Sequence, residues 1–493
     1  MSEGRCACVI GAGFGGLALA IRLQTAGVAT TLVEARDRPG GRAYASLEDS
    51  FTFDAGPGFI ARPEAFRELW DLNGHDIAAD VELLPVEPVC RFNWPDGTQF
   101  DFTHDEAALR REIARLDPAE IAGYDALLMH RAELERECGK VIGAPRAPGI
   151  VSVLKAAPAL VRHRAWLSAH DTISRFIRNP KLSAALTAHA LLVGANPLAA
   201  RSAHSPLLDG AGAWWPRGGM NRLAAGMLRH FERLGGEARL HDPVTAIHTI
   251  GTQASEVETL SGWRGTFDAV ASNADLVHTY RDLLRASPRG AQLSRRLNRK
   301  RFSASLFVVH FAIEGAWPGI PHHLVLFGPR YESLLEDLFD RGVLPADLLI
   351  FLDHPTVTDP SLAPEGRSIF QAVVPVAHMG KLAIDWEQVG PMLEQRVLAE
   401  VERRLIPDLS DRILRKFHYT PRDFALDFNA HLGSAFGLEP IPAQSGWFRP
   451  RDRDEVIGNL YLTGAATRPG GGLRGVLDGA RATAARMVAD LVR

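Results

Sequence analysis

Residues 9–34 read VIGAGFGGLALAIRLQTAGVATTLVE, and this stretch decides the fold. A short apolar run predicts a strand that ends in Gly11, Gly13 and Gly16, which have the spacing GxGxxG. Leucines and alanines at helical spacing follow, and a second, β-branched run ends at Glu34, about twenty residues past the glycines. Strand, tight turn, helix, strand and acid in this order predict a dinucleotide-binding βαβ unit.

Each residue type in this unit has a physical role in holding a dinucleotide. Gly11 permits the sharp turn, Gly13 lets the backbone approach a pyrophosphate, and Gly16 lets the helix pack closely on the strand. The helix N-terminus offers free N–H groups and the positive end of a dipole to the phosphates. Glu34 can accept hydrogen bonds from ribose hydroxyls and would repel a 2′-phosphate, so the site suits FAD or NAD rather than NADP. The alternative is a tight glycine turn without a ligand.

The residues after the second strand favour FAD over a nicotinamide cofactor. The segment 36–42 reads RDRPGGR and adds a second glycine turn with cations near the same pyrophosphate. The segment 53–57 reads FDAGP and adds another glycine turn, which makes the cradle longer than a nicotinamide cofactor needs. We therefore assign five further residues to the cofactor site: Arg36, Gly41, Arg42, Gly56 and Pro57. Arg42 taken alone would also fit a surface salt bridge.

Composition limits the other classes of function. A chain of 493 residues is too long for one core and predicts two intertwined domains. It is 46% hydrophobic and 23% charged, which indicates a globular protein, and its net charge of −3 gives no reason to expect nucleic acid as a partner. Its 4 cysteines show no CxxC spacing and suit a reducing compartment. The first strand follows Met1 too closely for a signal peptide, and no apolar run of about 18 residues predicts a transmembrane helix.

Separated stretches of the chain return to the nucleotide-binding pattern. Val244 opens a strand of the kind that commonly passes the adenine in such folds, and Asn273 ends another strand in a small polar turn. The segment 459–464 predicts a strand that runs into a glycine turn, and three further glycines precede a helix predicted over 477–493. N–H groups near that helix can stabilise negative charge on a reduced flavin. The cofactor site therefore also receives Val244, Asn273, Gly464, Gly472 and Val476.

The rest of the chain predicts a second domain. A hairpin around the turn PDGT at 95–98 is followed by charged helices, and buried strands are predicted at 305–313, 350–352 and 369–374. These strands would form a sheet that lines a long hydrophobic channel, or they are plain core. A helix near 150–161 carries cations and an aromatic residue at the border of its apolar face, which suits a membrane interface or packing on the protein's own core.

The expected fold is α/β, with a Rossmann-like FAD-binding domain of the glutathione-reductase-2 type interleaved with an α+β substrate domain. The FAD-binding domain is expected to comprise 1–75, 207–280 and 421–493. The substrate and membrane-associating domain is expected to comprise 76–206 and 281–420.

Along nearly its whole length the chain resembles the bacterial phytoene desaturases, in stretches that include FTFDAGP, WWPRGG, VTDPSLAPEG and NLYLTGAATRPGGG. The resemblance implies FAD-dependent dehydrogenation of C–C single bonds in a C40 polyene such as phytoene, towards neurosporene or lycopene. It also implies a cytoplasmic protein bound peripherally to the inner membrane, with a quinone or oxygen as electron acceptor. No nucleic acid or metal is expected.

The chain departs from this family near the expected flavin face. Relatives often have His-Pro where this chain has Arg468-Pro469, and an Asp and an Arg of some relatives align with Ser152 and Lys155. Lys155 and Arg468 are the candidate catalytic residues, and no others are assigned. The alternatives are another carotenoid-modifying flavoenzyme, such as a later-step desaturase or an isomerase, and a flavin-fold protein that binds carotenoid or lipid without turnover. An amine oxidase would usually need an aromatic cage beside the flavin, which the sequence does not place.

Overall fold

The computed structural model describes residues 4–56, 58–139, 141, 150–200 and 212–492, so the predicted site residue Pro57 lies outside the described residues. The strands in this part of the chain are β1 (Cys6–Ile10), β2 (Ala29–Val33), β3 (Ala45–Glu48), β4 (Phe51–Asp54), β5 (Leu83–Pro85), β6 (Cys90–Asn93), β7 (Gln99–Phe102), β8 (Trp214–Pro216), β9 (Glu237–Arg239), β10 (Val244–Ile250), β11 (Gln253–Thr259), β12 (Arg264–Thr266), β13 (Ala269–Ser272), β14 (Ser305–Glu314), β15 (His323–Leu326), β16 (Ile350–Asp353), β17 (Arg367–Val376), β18 (Ile413–Tyr419) and β19 (Leu460–Leu462).

The α-helices in the same part of the chain are α1 (Phe14–Thr25), α2 (Glu64–Asp71), α3 (Glu106–Leu116), α4 (Glu120–Cys138), α5 (Ile150–Arg162), α6 (Ala169–Ser174), α7 (Pro180–Ala188), α8 (Met220–Arg233), α9 (Leu276–His278), α10 (Pro288–Leu297), α11 (Tyr331–Glu336), α12 (Trp386–Arg404), α13 (Leu409–Arg412), α14 (Pro421–Phe428) and α15 (Gly472–Leu491).

Five parallel strands form the first sheet, in the order β19-β13-β1-β2-β9. The strand β1 is buried from Ala7 to Ile10, and its helix α1 packs against α8 and α15. The order reverses between β1 and β13, and such a switch point opens a crevice at the carboxyl ends of the strands. The predicted βαβ unit and the α/β fold are confirmed.

Seven strands form the second sheet, in the order β18-β14-β17-β16-β15-β6-β7. Its centre is the antiparallel pair β14–β17, which stays in register from the pair Ser305 and Val376 to the pair Glu314 and Arg367. The predicted hairpin is β6–β7, and it forms one edge of this sheet. The seven strands come from 90–102 and 305–419, whereas those of the five-stranded sheet come from 6–33, 237–272 and 460–462.

The strand β4 and the segment after it contact the second sheet and β8. Phe53 packs its ring against His310 of β14 and Phe417 of β18, with ring centroids 6.0 and 5.2 Å away. Ile60 then exchanges backbone hydrogen bonds with Trp214 of β8, at 2.9 and 3.0 Å. The glycine turn between Phe53 and Ile60 is therefore held at both ends, by the second sheet and by β8.

The structure corrects two predicted boundaries. The last helix begins at Gly472 rather than at 477, because the glycine run itself forms its start: Gly471 is the N-cap and Gly472 is the first helical residue. The buried strand predicted over 369–374 extends from Arg367 to Val376. Within the described ranges, none of the helices is long and apolar enough to cross a membrane.

Candidate functional site

The glycines after β1 allow the backbones of β1, β2 and α1 to approach one another closely. Gly11 has φ +94° and donates its N–H to the Val33 carbonyl at 2.7 Å, which turns the chain away from the sheet. A Cβ at Gly16 would overlap the Gly11 carbonyl oxygen, so α1 can lie this close to β1 only with glycine there. Gly13 precedes α1 in extended conformation and offers no side-chain cap. The first N–H groups of α1 are therefore directed at the switch point.

The Gly40–Gly41 turn packs its backbone on this loop. Gly40 has φ +125° and donates its N–H to the Ala12 carbonyl at 2.9 Å. A Cβ at Gly41, where φ is +57°, would lie 3.2 Å from the Cα of Gly13. The two glycine turns form one concave backbone surface at the end of β1, with the form of a phosphate cradle.

Asn273 occupies the switch point between β1 and β13. Its backbone N–H donates to Ile10 at 2.8 Å, and its Nδ2 donates to the Gly11 carbonyl at 3.4 Å. A Cβ at Gly15 or at Gly464 would lie 2.7 Å from its Oδ1. Asn273 thus joins the first glycine loop to the C-terminal glycine turn.

Glu34 is buried at the end of β2. Its carboxylate accepts the backbone N–H groups of Ala12 at 2.6 Å and Arg36 at 2.9 Å. Burial raises the pKa of Glu34, while these two hydrogen bonds oppose the shift. The Glu34 carbonyl accepts the N–H of Asp242 at 3.0 Å, which places the start of β10, and with it Val244, beside this acid.

Two arginines each bring a buried guanidinium nitrogen without a described hydrogen-bond partner to the cradle. The Nε of Arg42 is buried and has no hydrogen-bond partner among the described residues. Burial lowers the pKa of Arg42, and the Asp275 carboxylate opposes the shift. The Arg36 guanidinium lies 3.6 Å from the centroid of the Tyr44 ring, and its Nη1 is likewise buried without a described partner. The Arg36 guanidinium also lies 3.6 Å from the Asp427 carboxylate. Buried N–H groups without partners need an acceptor, so this donor set fits the pyrophosphate of FAD.

Asp54 fixes the glycine turn at Gly56 by hydrogen bonds, a role that the sequence did not reveal. Its carboxylate accepts the N–H of Gly56 at 2.9 Å and the N–H of Asn221, in the first turn of α8, at 3.2 Å. Burial raises the pKa of Asp54 to about 7, with a contribution from Asp353. Asn221 in turn donates its side-chain N–H groups to Pro39 at 2.7 Å and Ala43 at 3.0 Å. The only signal in the sequence is that this acid stands two residues before the glycine of the segment FDAGP.

The C-terminal glycines start α15 beside this site. Gly464 has φ +97°, and Gly472 has φ +81° at the first position of the helix. A Cβ at Gly472 would lie 3.0 Å from Cγ1 of Val193, so this helix end is closely packed. Val476 lies one turn later, half-buried against the main core. The first turn of α15 presents its N–H groups without a side-chain cap.

The two candidate catalytic residues have different surroundings. Arg468 is buried, its Nε donates to the Gly446 carbonyl at 2.9 Å, and its Nη2 donates to the Trp447 carbonyl. Burial lowers the pKa of Arg468. Lys155 is exposed on α5, which packs on α4, and no described contact joins it to the glycine turns. The contacts of Arg468 fix a loop, and catalytic roles for both residues stay predictions.

A small cavity adjoins the cradle on the side of the second sheet. Its volume is about 10 Å³, roughly that of one water molecule. Its lining includes Asp54, Gly56, Gly58, Trp215 and Asp353. Within the residues that the structure describes, no group of three or more metal-ligating side chains is present.

Comparison with known proteins matches residues 14–488 to the family described as flavin containing amine oxidoreductase. The chain is 46% identical over 490 residues to a lycopene-forming phytoene desaturase of Paracoccus sp., covering 99% of this chain and 98% of the relative. It is 42% identical to a lycopene-forming phytoene desaturase of Pantoea ananas, covering 98% and 99% of the two chains. It is 34% identical to a neurosporene-forming phytoene desaturase of Cereibacter sphaeroides, covering 98% and 94%.

Among solved structures, cyclohexylamine oxidase from Brevibacterium oxydans superposes with a TM-score of 0.62 over 100% of both chains. Its sequence identity to this chain is 17%, so the likeness concerns the fold. The shared architecture agrees with the α/β fold described above.

Proposed function

The chain belongs to the flavin-containing amine oxidoreductase family, and within it to the phytoene desaturases; from this premise we propose that it dehydrogenates phytoene stepwise towards neurosporene or lycopene. It is an FAD-dependent oxidoreductase that acts on CH–CH groups. The observation that carries the proposal is the cradle of glycine turns, in which Arg36 and Arg42 each have a buried N–H without a described partner, set against a second, largely apolar sheet.

Residues of the cradle have distinct tasks in this proposal. Arg36 and Arg42 neutralise the pyrophosphate, and the first turns of α1 and α15 direct N–H groups at the cofactor. Glu34 accepts from the ribose, with Val244 alongside. Bound FAD supplies the electron-pair acceptor of the reaction. The protein otherwise holds one C–C bond of a flexible hydrocarbon in a reactive position and excludes water.

The second sheet supplies the hydrocarbon surface. Its central strands β14 and β17 are buried along almost their whole length. We assign 1–75, 207–280 and 421–493 to an FAD-binding domain, and 76–206 and 281–420 to a substrate domain. The separation of the two sheets between these segments supports the division.

The test is conversion of phytoene by purified protein. The protein is mixed with FAD and liposomes that contain phytoene, and products are followed by chromatography with absorbance spectra. Products that absorb at longer wavelength than phytoene support desaturation, and their number counts the steps. Unchanged phytoene with fully bound FAD contradicts the proposal and favours a later carotenoid substrate or binding without turnover.

The membrane surface is the proposed source of the substrate, with α5 as the contact. Large apolar side chains on α5 and just after it are exposed: Val151 by 60%, Leu154 by 66%, Val161 by 62% and Trp166 by 55%. Exposed cations lie among them, namely Lys155, Arg162 and Arg164. Apolar groups with cations at their border suit an anionic bilayer surface, here the cytoplasmic face of the inner membrane.

Vesicle binding tests this surface. Leu154→Glu is expected to reduce sedimentation with vesicles that contain anionic lipid. Leu426→Glu is the matched control, because Leu426 is 64% exposed on the separate helix α14. Equal binding of the two variants contradicts the assignment of α5.

The proposed electron acceptor is a quinone or oxygen, since each desaturation leaves the cofactor with two electrons. Product formation is compared with oxygen alone, with a soluble quinone without oxygen, and with neither. Product beyond one equivalent of flavin when both are absent contradicts this part of the proposal.

A further inference from the structure

Two adjacent histidines lie in the core beside the small cavity. Nδ1 of His323 lies 2.7 Å from Oδ1 of Asp353, which lines that cavity. A Cβ at Gly58 would lie 2.9 Å from both the Asp353 carboxylate and the His323 ring, so this pair touches the loop of the cradle. The centroids of the His323 and His322 rings are 4.3 Å apart.

His322 connects this pair to the surface. Its Nδ1 lies 2.7 Å from Oγ1 of Thr358. Both residues line an open pocket of about 510 Å³, whose rim includes the exposed Glu87. The chain of polar groups therefore runs from the cradle loop to solvent.

Each of the two rings also has an unsatisfied nitrogen. His322 is 2% and His323 is 4% exposed, and Nε2 of each is buried with no hydrogen-bond partner among the described residues. Buried polar atoms without partners are costly and call for an explanation beyond packing. A hydrocarbon substrate offers them nothing to bind, whereas a proton passed between the rings, directly or through one water molecule, uses both.

We propose that Asp353, His323, His322 and Thr358 form a proton path from the cradle to the surface pocket. The inference rests on the proposed function. In each dehydrogenation the substrate loses one hydrogen with its electron pair, which passes to the flavin, and one hydrogen as a proton. The path carries that proton out of a site surrounded by hydrocarbon.

The surroundings of His322 disfavour its protonated form, so it suits the transfer of a proton and not its retention. Burial lowers the pKa of His322 well below its usual value, and the neighbouring His323 and His354 contribute. His323 faces the Asp353 carboxylate, which orients its ring. A proton that reaches His322 is therefore released to Thr358 and the pocket.

The experiment is chemical rescue in the liposome assay. His322→Ala is expected to lower the rate of product formation by about tenfold or more, because a positioned proton carrier is lost. Free imidazole, which enters through the open pocket, is expected to restore much of that rate, while the FAD content stays that of the wild type. His354→Ala is the matched control: His354 is equally buried but bonds the Ile320 carbonyl at 3.0 Å, so imidazole is not expected to change its rate.

Two further measurements keep the path testable. Thr358→Val removes only a hydroxyl, and it is expected to slow turnover and enlarge the solvent deuterium isotope effect, even if His322→Ala does not fold. Nitrogen NMR of ¹⁵N-histidine in FAD-free protein reports the orientation directly, since Asp353→Asn is expected to change the tautomer of His323.

Full activity of His322→Ala or of Thr358→Val overturns the path while the desaturase function stands. A wild-type protein that leaves phytoene unchanged overturns the function itself. Loss of activity in His322→Ala without rescue by imidazole assigns that histidine a structural role and also overturns the path.

Discussion

Replacing Arg42 by methionine should have opposite effects on FAD binding and on the stability of the FAD-free protein. The Nε of Arg42 is buried without a described partner, so the FAD-free protein carries the cost of a buried N–H group that makes no hydrogen bond. Methionine keeps most of the length of the side chain and removes the charge. The melting temperature of the FAD-free variant should therefore equal or exceed that of the wild type.

The loss of FAD affinity follows from the hydrogen bond that Arg42 would give the pyrophosphate. A hydrogen bond to a charged group contributes about 1.5–3 kcal/mol. At about 1.4 kcal/mol per factor of ten, this predicts a dissociation constant raised by about 10- to 150-fold. Titration of FAD-free protein with FAD, followed by calorimetry or flavin fluorescence, measures it.

Arg38→Met is the control, because Arg38 already pairs with Asp37 at 3.0 Å and lies on the outer side of the same turn. Its FAD affinity should change by less than about twofold, since partly exposed ion pairs contribute little. Unchanged FAD affinity in Arg42→Met refutes the assignment of this cation to the pyrophosphate. A large fall in the stability of the FAD-free Arg42→Met variant refutes the view that the Arg42 Nε–H lacks a partner before FAD binds.

Three other substitutions test the cradle and its supports. Burial raises the pKa of Asp54 from its ordinary 3.8 to about 7. Between these pH values the folded chain binds more protons than the unfolded chain. The free energy of unfolding therefore falls as the pH rises through this range. Asp54→Asn should flatten this slope in melting temperatures measured from pH 4 to 8, and an unchanged slope counts against it. Gly16→Ala forces a Cβ onto the Gly11 carbonyl and should abolish FAD binding, whereas Gly4→Ala, with nothing within 4 Å, should leave FAD binding unchanged. Arg468→Met leaves two carbonyls unpaired and should lower the free energy of unfolding by about 1–3 kcal/mol with normal turnover per bound flavin; lost turnover would instead support a catalytic role.

The first βαβ unit could be predicted because its determinants are local. Gly11, Gly16 and Glu34 lie within one short stretch, and each residue type has one conformational or chemical task there. The start of α15 could not be predicted, because Gly470 and Gly472, with φ of +143° and +81°, resemble a loop in sequence. Gly472 starts a helix only because of its packing against other segments of the chain, which the local sequence does not show.

Long-range pairs were also beyond sequence reasoning. The carboxylate of Asp54 meets Asn221, 167 positions later, and no periodic pattern links the two. His323 and Asp353 pair because β15 and β16 are antiparallel neighbours, which requires the sheet order. The histidine doublet was visible, but its carboxylate partner was not.

The position of β19 and α15 affects how the enzyme is made. These elements complete a site whose first glycine loop is at the other end of the sequence, yet β19 pairs with β13 and α15 packs on α1. A ribosome releases them after every other described element, so the complete cofactor site forms only after all the other described elements have been made. Until then the growing chain exposes an incomplete nucleotide crevice and the unpaired edge of β13, which are features prone to aggregation. When FAD is scarce, we therefore expect a lower yield of mature enzyme, while the rate at which the chain is synthesised changes little.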